Sequence, residues 1–234
     1  MSTLFPIVGL LLVFGEPSSC TAPPDTTVIL ENFEAGVEGG VPAAWRFFSR
    51  SKRRFEAPDR FMNDAGRFSV MREDGNRFLR AYTAGTARRV SLPAEAFHWE
   101  LPELPYLRWA WRAHRLPEGA REDRVNDSGA AVYVSFSKTD WLGRPLSIKY
   151  VYSTGLPRET MVSTGNVKII VVSSGLEETG EWVQVTRNVV KDYRNIFGTA
   201  PPNAPTAITL WSDSDNTDSV AEVDFDNIML TNLP

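Results

Sequence analysis

The stretch YLRWAWRAHRL, residues 106–116, alternates without a break: Leu107, Trp109, Trp111 and Ala113 fall on one side, and Tyr106, Arg108, Ala110, Arg112 and His114 on the other. A period of two places successive side chains on opposite faces of an extended chain, so this segment is a strand with one apolar face and one face able to meet water. Trp109 and Trp111 are then core residues. AAVYVSFS (130–137) sets Val132, Val134 and Phe136 opposite Tyr133, Ser135 and Ser137, and SIKYVYS (147–153) sets Ile148, Tyr150 and Tyr152 opposite Lys149 and Val151. VKIIVVSSG (167–175) is apolar on both faces, the pattern of a central strand.

Sustained helical periodicity is missing after the first twenty residues. VILENFE (28–34), RFLRAYTA (77–84), EWVQVTR (181–187), AITLWS (207–212) and AEVDFDNIML (221–230) read as further strands, and AEAFHWEL (94–101) as a turn or two of helix or a poorly alternating strand. NVVKDYRNIFG places Val189, Tyr193, Ile196 and Phe197 at helical spacing and stops at Gly198. About nine or ten short strands with at most two short helices predict an all-β antiparallel β-sandwich of jelly-roll (galactose-binding-like) type. Residues 28–232 form its single domain, after an export signal over 1–20 and a linker over 21–27.

The signal reading rests on LFPIVGLLLVFG, an apolar run too short for a membrane span, followed by EPSSC. Cys20 is the only cysteine, so no intrachain disulfide can form, and Ser18 and Ser19 before it are similar to a bacterial lipoprotein cleavage box. Two destinies remain open for Cys20: lipid anchor, or incidental thiol. The expected location is periplasmic, outer-membrane-anchored or extracellular. The formal net charge of -4 offers nucleic acid no global attraction, but residues 46–89 are strongly basic and residues 177–226 strongly acidic. These halves either neutralise one another in the fold or leave a basic surface for an anionic ligand.

LRWAWRAHRLPEGAREDRVNDSGAAVYVSF, WVQVTRNVVKDYRNIFG and ITLWSDSDNTDSVAEVDFDNIML, in this order, resemble the core motifs of the bacterial domain of unknown function 3047 family. The resemblance spans about residues 28–230 and implies a β-sandwich in exported proteins, with no activity attached. Where the family tends to have two aspartates before the AAVYVSF strand, this chain has Asn126 and Asp127. More loosely, NFEAGVEGGVPAAW and VDFDNIML are similar to the first and last strands of jelly-roll carbohydrate-binding modules, a resemblance that implies chain ends meeting at a structural calcium.

A structural calcium is the one cofactor expected, and Glu34 and Asp226 are its candidate ligands, because the ends of a jelly roll are adjacent and calcium takes carboxylate and carbonyl oxygens. The six carboxylates between Asp213 and Asp226 do not make an EF-hand loop: Asp218 stands where glycine is needed and Asp224 where the bidentate Glu belongs. SDSDNTD reads first as a turn, since Asp, Asn and Ser bond their own backbone. Catalysis finds less support. His98 and His114 are the only histidines, and no G-x-S-x-G is present. Asp123, Asp127, Asp213 or Asp215 could pair for glycoside hydrolysis, and Tyr106, Arg108, Arg112 and His114, on one strand face, could serve a lyase.

Sugar binding needs aromatic faces for stacking and planar polar groups around them. The candidate ligand-binding residues are Tyr106, Arg108, Arg112, Tyr133, Trp141 and Lys149, with Trp141 exposed in the polar turn SKTDWLGRP and the cations favouring an anionic chain. RFFSRSKRRFEAPDRF has the composition of a nucleic-acid patch; export argues against that partner, and the competing reading is a pair of edge strands whose phenylalanines face the core. The expected function is an exported, non-catalytic carbohydrate-binding or structural module of the cell envelope, with polysaccharide as its partner, no nucleic acid, and membrane contact only through Cys20. The alternatives are a polysaccharide-active hydrolase or lyase, and an envelope protein-interaction component.

Overall fold

The structure, a computed structural model, describes residues 24–49, 51–52 and 54–234. The export signal, the junction at Cys20 and the first part of the linker lie outside the described residues. In chain order the elements are β1 (Thr27–Glu31), β2 (Phe47–Ser49), β3 (Arg54–Glu56), β4 (Gly66–Glu73), β5 (Asn76–Ala84), β6 (Ala87–Pro93), β7 (Tyr106–Arg115), β8 (Ala130–Thr139), β9 (Pro145–Ser153), β10 (Met161–Thr164), β11 (Val167–Ser174), β12 (Val183–Asn188), α1 (Val189–Phe197), β13 (Pro205–Asp213) and β14 (Val220–Thr231).

Two sheets face each other, as the alternating patterns require. The first runs β12-β7-β14-β5-β4, the second β10-β11-β9-β8-β13-β6, and β2 with β3 forms a separate hairpin. Neighbours are antiparallel except β9 and β11, which pair in parallel because the short β10 turns the chain back between them. Along one edge β14 changes partner. Its first half pairs with β5 and its last residues with β1. The switch falls at a bulge where Asn227 adopts φ 50° and donates its backbone N–H to the Asp226 carboxylate at 2.7 Å, a conformation that asparagine tolerates better than most residues.

The core lies between the inner faces. Trp109 and Trp111 of β7 are fully buried and meet Tyr150 and Tyr152 of β9 across the sandwich, with ring centroids 5.6 Å apart in both pairs. Truncating either Trp to alanine would cost about 3–5 kcal/mol through lost transfer energy and an unfilled cavity. Helix α1 starts where the Asn188 side chain accepts the Lys191 N–H and ends at Gly198, whose φ of 69° supplies the left-handed stop.

Residues 94–101 keep only a single tight turn, Ala94–Ala96, because Trp99 is buried with its indole N–H donated to Leu104 O at 2.7 Å. Strands β4 and β6 go beyond the segments read from the alternation. In ARRVSLP only Val90 and Leu92 turn inward, and the arginines beside them hide the pattern. Among the described residues, no helix is long and apolar enough to cross a membrane.

Candidate functional site

On the outer face of the second sheet, Ala131, Val151, Ile169 and Val171 form a second buried cluster with Leu156, and Tyr133 and Trp211 pack against it. Ile208 and Leu210 of β13 point inward, which turns Thr209, Trp211 and Asp213 outward; the same alternation puts Arg89 and Ser91 of β6, Tyr133 of β8 and Lys149 of β9 on this face. The register sets Arg89, Trp211, Ala131 and Val151 in one row and Ser91, Thr209, Tyr133 and Lys149 in the next. Trp211 lies 5.6 Å from the Tyr133 ring, and the Arg89 guanidinium lies 5.1 Å from the Trp211 ring and 5.8 Å from Phe47.

Phe47 belongs to the β2–β3 hairpin, which stands beside β6 because Arg46 and Ser91 exchange backbone hydrogen bonds at 2.7 Å. Hairpin and sheet flank an open groove of about 480 Å³, lined by Phe47, Phe48, Phe61, Arg89, Trp211 and Asp215 among others. The phenylalanines of this basic segment therefore do not face the sandwich core. Phe47 stacks on Phe61 at 3.6 Å and Phe48 meets Phe55 edge-on at 5.2 Å, since the hairpin lies outside both sheets and buries its rings against itself and the groove. Lys52 and Arg54 of the same segment pair with Glu56.

Through Asp215, the groove lining adjoins a carboxylate cluster built from two of the sequence motifs. Asp127, in the β7–β8 connection, is buried and accepts four hydrogen bonds from the 214–219 turn: Asn216 N–H and side-chain amide on Oδ1, Thr217 N–H and hydroxyl on Oδ2, at 2.6–3.1 Å. Burial acts against its charge, but the donors of Thr217 and Asn216 outweigh it and hold the carboxyl below its usual range. Asp213 has the opposite fate. It is buried, among the described residues accepts only the Asp215 N–H at 3.4 Å, and is pushed up to about 7 by burial and then by the charges of Asp215 and Asp127, against the pull of Lys149.

One oxygen from each of Asp127, Asp213 and Asp215 lies within 4.8 Å of the others, so these three could hold a cation together. Asp127 already spends both oxygens on hydrogen bonds, which leaves Asp213 and the exposed Asp215 with the freer lone pairs. Behind them Lys149, 2% exposed, donates to Ser128 Oγ at 2.9 Å, and Ser128 donates to Glu122 at 3.1 Å. Ser153 donates to the other Glu122 oxygen at 2.6 Å. The lysine and glutamate charges are thus bridged by a hydroxyl, with the Lys149 ammonium 5.6 Å from the Tyr133 ring.

The residues expected to bind ligand divide between the two outer faces. Tyr133 and Lys149 lie on the second sheet near the groove; Tyr106, Arg108 and Arg112 lie on the first sheet; Trp141 stands at the β8–β9 turn, 88% exposed. On the first sheet the basic and acidic halves of the chain meet. Arg80, Arg112 and His114 converge on the fully buried Asp224, Arg80 reaches Glu222, and Arg112 reaches Glu73. Arg112 also lies over Phe78 and Trp182, and Arg108 donates to Thr186 and to the Pro234 carbonyl. This face is occupied by its own pairing.

Glu34 and Asp226 do come close enough for the Glu34 charge to add to the burial that raises Asp226. Their oxygens accept N–H donors: Glu34 from Arg77 at 2.9 Å, Asp226 from Asn76 at 3.0 Å and from Asn227. A cation there would share those oxygens with amides. Asp123 pairs with Arg121 at 3.1 Å.

Sequence reasoning passed over Arg89, Trp211 and Phe47 as groove residues. The signal for Trp211 was present: with Ile208 and Leu210 inward, its outward placement follows from a period of two. Nothing local tells that the hairpin folds over it.

The model of a family described as "Protein of unknown function (DUF3047)" matches residues 57–229. No curated protein matches the chain. Among solved structures, the chain is similar to the family 11 carbohydrate-binding module of cellulosomal cellulase Lic26A-Cel5E of Clostridium thermocellum, at TM-score 0.43 and 10% identity, covering 90% of this chain and 95% of that one. A carbohydrate-binding module of family 28, specific for non-crystalline cellulose, aligns at TM-score 0.44 and 14% identity over 87% and 94% of the two chains. The family 30 module of a second C. thermocellum cellulosomal cellulase aligns at 0.41 and 15% over 88% and 92%.

Proposed function

Because the chain belongs to the family described as Protein of unknown function (DUF3047), a description that assigns no activity, we propose its role from its own geometry: an exported, non-catalytic carbohydrate-binding module of the cell envelope. One observation carries the reading. The open groove is lined by a half-buried indole, Trp211, whose ring lies under the Arg89 guanidinium at 5.1 Å, and by the Asp215 carboxylate. A flat apolar face ringed by planar polar groups is what a pyranose ring requires, its C–H face stacking and its hydroxyls hydrogen-bonding around the edge. Arg89 in the lining supports an anionic chain whose charges turn away from Asp215. Export is part of the proposal and rests on the apolar run LFPIVGLLLVFG.

The test is native electrophoresis through gels containing alginate, polygalacturonate, barley β-glucan or xylan. We expect wild-type protein to be retarded in at least one gel, and Trp211→Ala to lose about tenfold in affinity while Trp211→Phe keeps most of it. Equal retardation of wild type and Trp211→Ala, or none in any gel, overturns the reading.

A glycan-cleaving enzyme is the second reading, and it draws on Asp213, raised to about 7, beside the exposed Asp215. Asp213 and Asp215 bring carboxyl oxygens within 4.8 Å of each other, and a pair of carboxyl groups is what acid-assisted glycoside cleavage uses. New reducing ends or unsaturated products in the recovered gel strips would put this reading first.

A further inference from the structure

We propose that Trp141, at the tip of the β8–β9 hairpin, is a second and separate sugar-stacking platform, so that a long polysaccharide is held at two points on one domain. The inference rests on the glycan-binding reading of the Trp211 groove and extends it to a site outside that groove.

The turn that carries Trp141 is fastened by its own polar groups. Asp140 N–H donates to Arg144 O at 2.9 Å and Gly143 N–H to Asp140 O at 3.0 Å. The Asp140 carboxylate accepts the backbone N–H of Leu142 at 3.0 Å and of Arg144 at 2.9 Å, and its second oxygen accepts Arg144 Nε at 2.8 Å. Gly143 sits at φ 73°, where a side chain would be strained. The fixed turn leaves Trp141 88% and Leu142 53% exposed, so the indole is presented without packing against the domain.

The size of this apolar surface points to a small planar occupant. Two such side chains offer roughly 300 Å² at most, whereas a stable protein partner covers about 800 Å² on each side. A sugar ring needs only the indole face with polar groups beside it, and the Arg144 guanidinium and Asp140 carboxylate stand three residues and one residue away along the turn. Because the turn is fixed beforehand, little ordering cost is left to binding.

The two platforms are well separated. Trp211 lies opposite Ala131 near one end of β8, and Thr139, opposite Pro145, is the last β8 residue before the turn. The eight intervening steps span about 26 Å of extended strand. A short oligosaccharide reaches one platform, while a polymer can touch both and gain avidity from the second contact.

The experiment compares wild type, Trp141→Ala, Trp141→Phe and Trp211→Ala, first by retardation in the four polysaccharide gels, then by calorimetric titration with tetrasaccharides cut from whichever polymer retards wild type. We expect Trp141→Ala to melt as wild type does, to bind tetrasaccharide unchanged, and to lose about three- to tenfold in polymer affinity, with Trp141→Phe close to wild type. Polymer retardation of Trp141→Ala equal to wild type, or tetrasaccharide binding lost with Trp141, overturns the two-point inference and leaves the groove standing. Absence of wild-type retardation in every gel overturns both.

Discussion

Asp127 and Thr217, 90 residues apart, are joined twice: the Thr217 N–H and hydroxyl both donate to one Asp127 oxygen, at 2.7 and 2.6 Å. The acidic turn of the closing strands is therefore held less by its own side chains than by a carboxylate from the far side of the chain. Only one charge is needed for this. Asp127 is buried, and Asn126 beside it is exposed.

Asp127→Ala strands the Asn216 and Thr217 donors, and the expected loss is about 2–4 kcal/mol in urea denaturation. Asp127→Asn keeps the shape but puts an amide donor where two acceptors are needed, so it should recover little. Because the folded carboxyl is held below its unfolded value, its contribution is present above the unfolded pKa. It disappears as pH falls through the lower folded one.

Asp213 gives the opposite pH signature. Its folded pKa, about 7, stands above the unfolded value, so the folded state binds the extra proton and stability from this group is full below the unfolded pKa. It is lost as pH rises through about 7. Asp213→Asn should flatten the decline in melting temperature from mildly acidic pH to neutrality; a slope unchanged from wild type would refute the assignment.

Asp224 is fully buried under Arg80, Arg112 and His114. Asp224→Asn leaves Arg80 with Glu222 and Arg112 with Glu73 at the rim, and we expect a loss of about 3–5 kcal/mol by chemical denaturation. Polysaccharide retardation of the surviving folded fraction should match wild type, since this network lies on the other sheet from the groove.

For the structural calcium proposed at Glu34 and Asp226, millimolar calcium should raise the melting temperature, a chelator should reverse the rise, and Asp226→Asn should abolish it. A rise that survives Asp226→Asn and vanishes with Asp213→Asn places the ion among Asp127, Asp213 and Asp215 instead. No rise in wild type removes calcium from the account.

Alternation alone determined the β-sandwich and much of its core, because a half-buried strand must put its apolar residues at every second position. Trp109, Trp111, Tyr150 and Tyr152 could be assigned to the interior before any contact was known, and α1 was bounded by Asn188 and Gly198 through local backbone chemistry. The tertiary structure decided which outward-facing residues share a surface. Arg112 and Lys149 look alike along the chain, yet one is consumed by Asp224 and Glu73 while the other sits behind the groove, because sheet order, not strand pattern, sets the neighbours. The groove itself arises from the β2–β3 hairpin lying over β6 and β13. The hairpin is joined to β6 through Arg46 and Ser91, 45 residues apart, Trp211 of β13 is farther still along the chain, and no periodicity within these segments encodes their meeting.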